Sequence, residues 1–236
     1  MQCIEAQIEE ILKTDIRFTE GLKACMSCGI CNAICPAAEF FDYDPRNIVT
    51  TVQSGDMKRI IELIGSDSIW YCGQCMSCKT RCPRENCPGL IITVLRKISQ
   101  ETGAYTQSRL GRQQYLLRKV IGNNILKYGY TLHPSNVKPG DHPEQGPVWK
   151  WIFENATEVY KVVGANLDGE GPGTLRKIND ETLGELHAIF KHTGGLELFD
   201  KIDHFSSQNA VELGFIDELN QPNMESYTRY IENECE

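Results

Sequence analysis

The chain has 236 residues, 41% of them hydrophobic, and a formal net charge of -8. Its mean hydropathy of -0.35 and the lack of any apolar run near the roughly 20 residues that cross a bilayer argue against a membrane span and predict one or two soluble domains. The acidic, patterned start MQCIEAQIEE does not read as a secretory leader, so the expected location is the cytoplasm, with peripheral contact at the inner face of the membrane as the other option. Charge is unevenly spread: residues 1–128 hold 16 basic and 13 acidic groups, residues 129–236 hold 8 and 19. So acidic a second half argues against nucleic acid as a partner, because phosphate contacts need clustered cations.

Ile4, Ile8, Ile11 and Leu12 share one helical face at the start of the chain and predict a helix of about ten residues. A first cysteine group spans Cys25 to Cys35. Asp44-Pro45 reads as an N-cap and first helical residue, with Ile48, Val49 and Val52 continuing to Gly55. A further helix is predicted from about Asp56 to Gly65, through Met57, Ile60, Ile61 and Ile64. A second cysteine group spans Cys72 to Cys82. Pro88 then starts a helix with Leu90, Ile91, Val94, Leu95 and Ile98 as its stripe and Gly103 as its end. The next predicted helix covers about 106–128, with Leu110, Leu117, Ile121 and Ile125 in register. Residues 130–147, with four prolines and two glycines, read as a linker or long loop. Helices are predicted at 148–163 and 179–192, and shorter helical pieces in the tail. No alternating run is long enough for a sheet, so the chain reads as mostly α.

Eleven cysteines are many for a reduced compartment, where disulfides are rare, and they point to metal. Nine lie between Cys25 and Cys87. The runs CMSCGICNAICP (25–36) and CGQCMSCKTRCP (72–83) both have the spacing C-x2-C-x2-C-x3-C-P and are offset by 47 residues. A tight C-x2-C-x2-C turn places three thiolates on three iron corners of a cubane. The fourth cysteine leaves on a short helix and, in two-cluster ferredoxin-type proteins, ligates the other cluster. The spacing therefore assigns Cys25, Cys28, Cys31 and Cys82 to one 4Fe-4S cluster, and Cys72, Cys75, Cys78 and Cys35 to a second. Zinc is the competing reading, but its sites use two separated C-x2-C pairs or cysteine with histidine; disulfides are disfavoured by the missing leader. Lys23, Lys79, Arg81 and Arg84 stand beside the ligands and would offset the negative charge of the thiolate-bound clusters.

At these residues the chain resembles the C subunit of heterodisulfide reductase and of related complexes of sulfur metabolism. The resemblance covers roughly residues 20 to 100. It rests on the two runs, the Trp70-Tyr71-Cys72 lead-in, Cys82-Pro83-Arg84, the repeat distance and the helical segment between the runs. It implies an α-helical ferredoxin fold, expected over residues 1–128; residues 129–236 are read from the chain itself as an acidic helical extension that docks partners. It also implies an electron relay between a flavin- and cluster-bearing A-type subunit and a catalytic B-type subunit where disulfide chemistry occurs. The iron–sulfur subunits of 2-hydroxyacid and glycerol-3-phosphate dehydrogenases share the double run and are the alternative; an iron–sulfur redox sensor is a further one. Some of these relatives carry an adjacent Cys-Cys pair in a catalytic domain. This sequence has no adjacent pair, which places the reaction on a partner and leaves no catalytic site expected here. The tail from about residue 130 is long for the methanogen type and suits the sulfur-oxidising relatives, and Cys87 is an extra cysteine.

Cys87 is expected to be a buried thiol starting the Pro88 helix; Cys3 and Cys235 are read as incidental. His133, His142, His187, His192 and His204 read as surface or packing residues, and Gly164 to Gly173 as a flexible loop. The segment from Lys79 to Lys127 holds ten basic residues and only Glu85 and Glu101 as acids. Within it, Arg109, Arg112, Arg118 and Lys119 are expected to form a partner-facing patch, the alternatives being a solvated helix face or contact with anionic lipid.

Overall fold

The computed structural model describes residues 2–141, 145–215 and 229–231. The chain divides into two compact units, the first ending at Arg112 and the second beginning at Gln113. Among the described residues the regular elements are all helical, and extended chain pairs only at an isolated bridge between Ala165 and Thr174. The mostly-α expectation holds. No helix among the described residues is long and apolar enough to cross a membrane.

The first unit opens with α1 (Gln2–Thr14) and α2 (Ile16–Gly21). Asp15 caps α2 by accepting the Arg17 N–H at 3.0 Å, and Lys97 reaches the same carboxylate at 3.6 Å. The hydrogen bond from the Arg17 side chain holds Asp15 down to a pKa of about 2. Two one-turn helices follow, α3 (Ile30–Ala33) and α4 (Ala37–Phe40). α5 (Pro45–Ser54) and α6 (Met57–Ile64) start where the sequence places their caps: Asp44 accepts from the Asn47 N–H at 3.0 Å, and Asp56 from the Arg59 N–H at 3.3 Å. A 3-10 turn over Asp67–Trp70 leads to α7 (Ser77–Arg81) and then α8 (Pro88–Thr102).

α8 is the axis of this unit. Ile91, Ile92, Val94, Leu95 and Ile98 are buried on several sides of it, in one core with Ile8 and Leu12 of α1, Ile48, Val49 and Val52 of α5, and Ile60 and Ile64 of α6. A helix buried on most of its circumference belongs in the middle of its neighbours. Each such side chain contributes about 1.5–3 kcal/mol. This packing fixes Pro88, the first residue of α8, between the two cysteine runs.

α9 (Arg109–Leu117) contains the division between units, so residues 113–128, read from the sequence with the first domain, group with the second unit. The helix predicted over 106–128 begins at Arg109 and passes through a π-helical turn at Arg118–Gly122 before α10 (Asn123–Tyr128). Residues 130–147 contain 3-10 turns at Pro134–Asn136 and Pro139–Asp141. The helix predicted over 148–163 is two, α11 (Gly146–Glu154) and α12 (Ala156–Val162). The break is at Asn155, whose side-chain amide and backbone N–H both donate to Trp151 O, at 2.9 and 3.0 Å. That competition of side chain with backbone ends helices. α13 (Asp180–His192) forms where a helix over 179–192 is predicted and is capped by Asn179, and α14 (Gly195–Leu213) runs for 19 residues where the sequence predicts only shorter pieces. Its buried positions include Ser206 and Ala210 beside Ile202, which dilutes the apolar stripe.

The expected basic patch does not form. Arg112 is 0% exposed. Arg118 and Lys119 bind Asp203 of α14 at 3.2 and 2.9 Å, and Arg118 lies over the Phe199 ring at 4.4 Å. Only Arg109 of the four is exposed.

Leu95→Ala should lower unfolding free energy by about 3 kcal/mol, since it empties a site at the axis of the core. Denaturant unfolding of the anaerobically prepared protein measures this, and a change below about 1 kcal/mol would mean that α8 is not the central support described here.

Candidate metal centres

The duplicated cysteine pattern reappears as duplicated backbone. Ser27 and Gln74, 47 positions apart, both adopt positive φ (54° and 52°), and each donates its N–H to the preceding cysteine sulfur, Cys25 Sγ or Cys72 Sγ, at 3.4 Å. Gly29 and Met76 are again equivalent, both left-handed, and cap α3 and α7. Glycine takes this conformation freely, whereas Met76 bears a cost of about 1–2 kcal/mol. Met76 is held by packing: a Cβ on Gly89 would lie 2.8 Å from its Sδ, so α8 must begin with glycine at its second position for the thioether to fit.

α3 carries the chain from Cys31 to Cys35, α7 carries it from Cys78 to Cys82, and the two helices pack together. Two cavities result. The Cys35 site, of about 250 Å³, is lined by Cys35, Cys72, Cys75 and Cys78, with Tyr43, Tyr71, Met76 and Pro88 among its other walls. The Cys82 site is narrower, about 20 Å³, and is lined by Cys25, Cys28, Cys31 and Cys82, with Arg46, Arg84, Asn86 and again Pro88. Each gathers three thiols from one run and the last thiol of the other. Among the described residues no three His, Cys, Asp or Glu side chains converge as ligands of a single metal ion do. Tetrahedral zinc needs its thiolates about 2.3 Å from one point. A ring of four thiols around a space fits a core with several iron corners instead.

The surroundings of the sulfurs differ. Burial pushes the Cys31 and Cys78 thiols up to about 11, so their ionised form depends on coordinated metal. Cys75 is shifted down, chiefly by the Ser77 hydroxyl 3.4 Å away, which donates to the thiolate. Burial, with the neighbouring Cys72 to which its hydroxyl donates, raises the pKa of Tyr43 and keeps it protonated. The buried Asn86 accepts the Lys23 N–H at 2.5 Å and points its amide at Cys82 Sγ, 3.7 Å away. Arg96, on α8, donates to Ile69 O, Trp70 O and Cys72 O at 2.7, 3.0 and 2.6 Å, with its guanidinium 5.3 Å from the Trp70 ring centre. It ties down the Trp70-Tyr71-Cys72 lead-in, while Phe41 stacks on Tyr71 at 4.5 Å.

Sequence reasoning missed Tyr43, Arg46, Asn86 and Arg96 as parts of the sites. Arg96 had a signal, as a cation in the buried helix. Cys87 is 1% exposed, lines neither cavity, and donates its N–H to Gly21 O at 2.7 Å. His133 is buried between Ser135 (2.8 Å) and Asp168 (3.2 Å) and stacks on Tyr128, while His187, His192 and His204 are exposed. The glycine-rich loop is tied internally: Asn166 donates to Glu170 O and Pro172 O at 3.0 and 3.2 Å. His142, Cys235 and the Cys3 side chain lie outside the described residues.

The 4Fe-4S dicluster domain family matches residues 21–86. The C subunit of the ferredoxin:CoB-CoM heterodisulfide reductase of Methanosarcina acetivorans is 33% identical over 192 residues, covering 80% of this chain and 70% of that protein. The chain belongs to the family of heterodisulfide reductase C subunits. Its cofactors are two 4Fe-4S clusters. The C subunit of the H2:CoB-CoM heterodisulfide,ferredoxin reductase of Methanothermobacter thermautotrophicus is 27% identical over 188 residues, 76% of this chain and 83% of that protein. The second iron-sulfur C subunit of the CoB–CoM heterodisulfide reductase of Methanocaldococcus jannaschii is 33% identical over 108 residues, 46% of this chain and 55% of its own length. By their names, these relatives are subunits of heterodisulfide reductase complexes. One expectation is corrected. The likeness is not confined to residues 20–100, since 192 aligned residues cannot fit before residue 129. The match to the Methanosarcina acetivorans protein therefore reaches into the tail, whereas that to the Methanocaldococcus jannaschii protein covers 46% of this chain.

Replacing Arg96 by Leu removes three hydrogen bonds to the Cys72 approach and leaves three carbonyls to find other donors. Iron content should fall towards half, with one of two paramagnetic centres lost. Full iron and two unaltered centres in the variant would show that Arg96 does not hold this segment.

Proposed function

We propose that this chain relays electrons between a flavin- and iron–sulfur-bearing subunit of the A type and a catalytic subunit of the B type, where disulfide or thiol chemistry takes place. In this reading Cys25, Cys28, Cys31 and Cys82 hold one cluster and Cys35, Cys72, Cys75 and Cys78 hold the other. Each cluster, when bound, accepts and returns one electron. One observation carries the reading: two cysteine-lined cavities, each drawing thiols from both runs, share Pro88 as a wall. Adjacent redox centres with a common wall suit transfer through the protein. Lys23 N–H and the Asn86 amide orient Cys82, while Arg96 and Tyr43 orient Cys72. The walls of the Cys35 site are otherwise mostly apolar, although Cys75 itself is exposed. Residues 129–236 act as an acidic docking extension for the partner subunits. The length of the match to the Methanosarcina acetivorans protein supports a role common to the family.

Anaerobically purified protein should hold about eight irons per chain and show two interacting reduced centres by electron paramagnetic resonance. The ligand crossing has its own test. Cys82→Ala should reproduce the spectrum left by Cys28→Ala, and Cys35→Ala that left by Cys75→Ala. If instead Cys82→Ala matched Cys75→Ala, each run would serve its own cluster. Bound zinc, or a single cluster, would sink the relay.

A further inference from the structure

The two sites have chemically different mouths. No charged side chain lines the Cys35 site, and Phe40, 74% exposed, lies in its wall. The wall of the Cys82 site contains Arg46 and Arg84 and no acid. Further cations stand around it. Lys23 is next to this wall, because its N–H binds Asn86, and the Arg84 Nε–H donates to Ala24 O at 3.4 Å. Arg81 immediately precedes Cys82, a wall residue, and Lys79 lies on the same helix, α7, between Cys78 of the Cys35 site and Cys82. Lys23, Lys79, Arg81 and Arg84 are all exposed, as is Cys28.

These charges are incompletely neutralised by the chain itself. Arg46 pairs with Asp44 at 2.8 Å, and Lys23 meets Glu20 only at 4.0 Å with both groups exposed. Among the described residues Lys79, Arg81 and Arg84 make no ion pair, and neither does Glu85, the one acid in their segment. Arg46 and Arg84 belong to the wall itself, whereas Lys23, Lys79 and Arg81 lie outside it and are exposed. Met26 and Ile30, both in the wall, are 63% and 40% exposed. Apolar side chains within a charged rim are the anatomy of a protein–protein interface.

We propose that this face, with Met26 and Ile30 inside a rim of Lys23, Lys79 and Arg81, is the docking surface for an acidic electron-transfer protein. The proposal rests on the two-cluster reading, and the partner exchanges one electron with the cluster at this site: the partner's reduced centre is oxidised as the cluster is reduced. Charge complementarity selects the occupant, since cations around a redox centre raise association rates and reject other cationic surfaces.

The test uses the whole chain, loaded anaerobically, with an acidic two-cluster ferredoxin as probe in titration calorimetry. The triple variant Lys23→Glu, Lys79→Glu, Arg81→Glu should weaken binding about tenfold or more at low salt, with iron content unchanged, since the contact of Lys23 with Asn86 is made by its backbone N–H. High salt should erase the difference. The control Lys13→Glu, Lys58→Glu, on α1 and α6, should leave affinity within about twofold. A triple variant that binds like the parent, or a control that weakens binding as much, would overturn the surface. So would a loss in the triple variant of binding to phosphatidylglycerol vesicles or duplex DNA with ferredoxin affinity intact. Low iron or zinc in the parent protein would instead count against the cluster reading, and the calorimetry would still report on docking.

Discussion

The first unit depends on a crossing. α3 takes the chain from the Cys82 site to the Cys35 site, and α7 takes it back. Neither cavity is complete in one half of the sequence. A chain with only the first run folded would have three thiols near one another and no fourth. Formation of either site is therefore tied to docking of both runs on the start of α8. Coordination chemistry of this kind is inseparable from folding: ligands that must be deprotonated and brought together contribute their binding energy to the native state. Pro88 serves both sites, and it has that position because α8 behind it is buried on most of its circumference.

Around this crossing, electrostatics runs against the thiols until metal arrives. Cys31 and Cys78 sit where burial favours the protonated form, with pKa values near 11. The fold compensates with fixed donors rather than with solvent. Ser27 and Gln74 aim backbone N–H groups at sulfur from left-handed positions, Asn86 adds an amide and Tyr43 a hydroxyl. Donors held in place cost no reorganisation when charge on the cluster changes, and such outer contacts tune a metal centre as strongly as the ligands do. The two sites receive different sets, with arginines in one wall and aromatic rings in the other. Identical spacing in the sequence thus gives two chemically distinct environments.

That contrast marks what was readable from the sequence. Caps and breakers are local, so Asp44, Asp56, Pro88, Gly55 and Gly103 placed three helices almost to the residue. The repeat spacing is also local, and it named the eight thiols that surround the cavities. Arg96 stood out as a cation in a buried helix, but its role was not legible because its acceptors are carbonyls 24 to 27 residues earlier. Asn86 reaches Lys23 across 63 positions. α14 was understated because Ser206 and Ala210 occupy buried positions where an apolar stripe would be sought, and the break at Asn155 depends on a side chain that could equally have faced solvent.

The basic stretch from Lys79 to Lys127 shows why a count of charges cannot define a surface. Its ten cations have separate uses. Arg96 binds backbone carbonyls, Arg112 is buried, Lys97 meets Asp15 and Glu101, and Arg118 with Lys119 holds Asp203. What remains outward, Lys79, Arg81, Arg84, Arg109 and Lys127, is half the original number. Two of those five, Arg81 and Arg84, flank Cys82 in the wall of a single cysteine-lined cavity. Long cationic side chains satisfy distant carbonyls and carboxylates first, because a buried acceptor left without a donor costs more than an exposed charge left without a partner. The cations left exposed are those with few such partners, and the two arginines in the wall of one redox site, with no charged side chain in the other, are what make the two sites unlike.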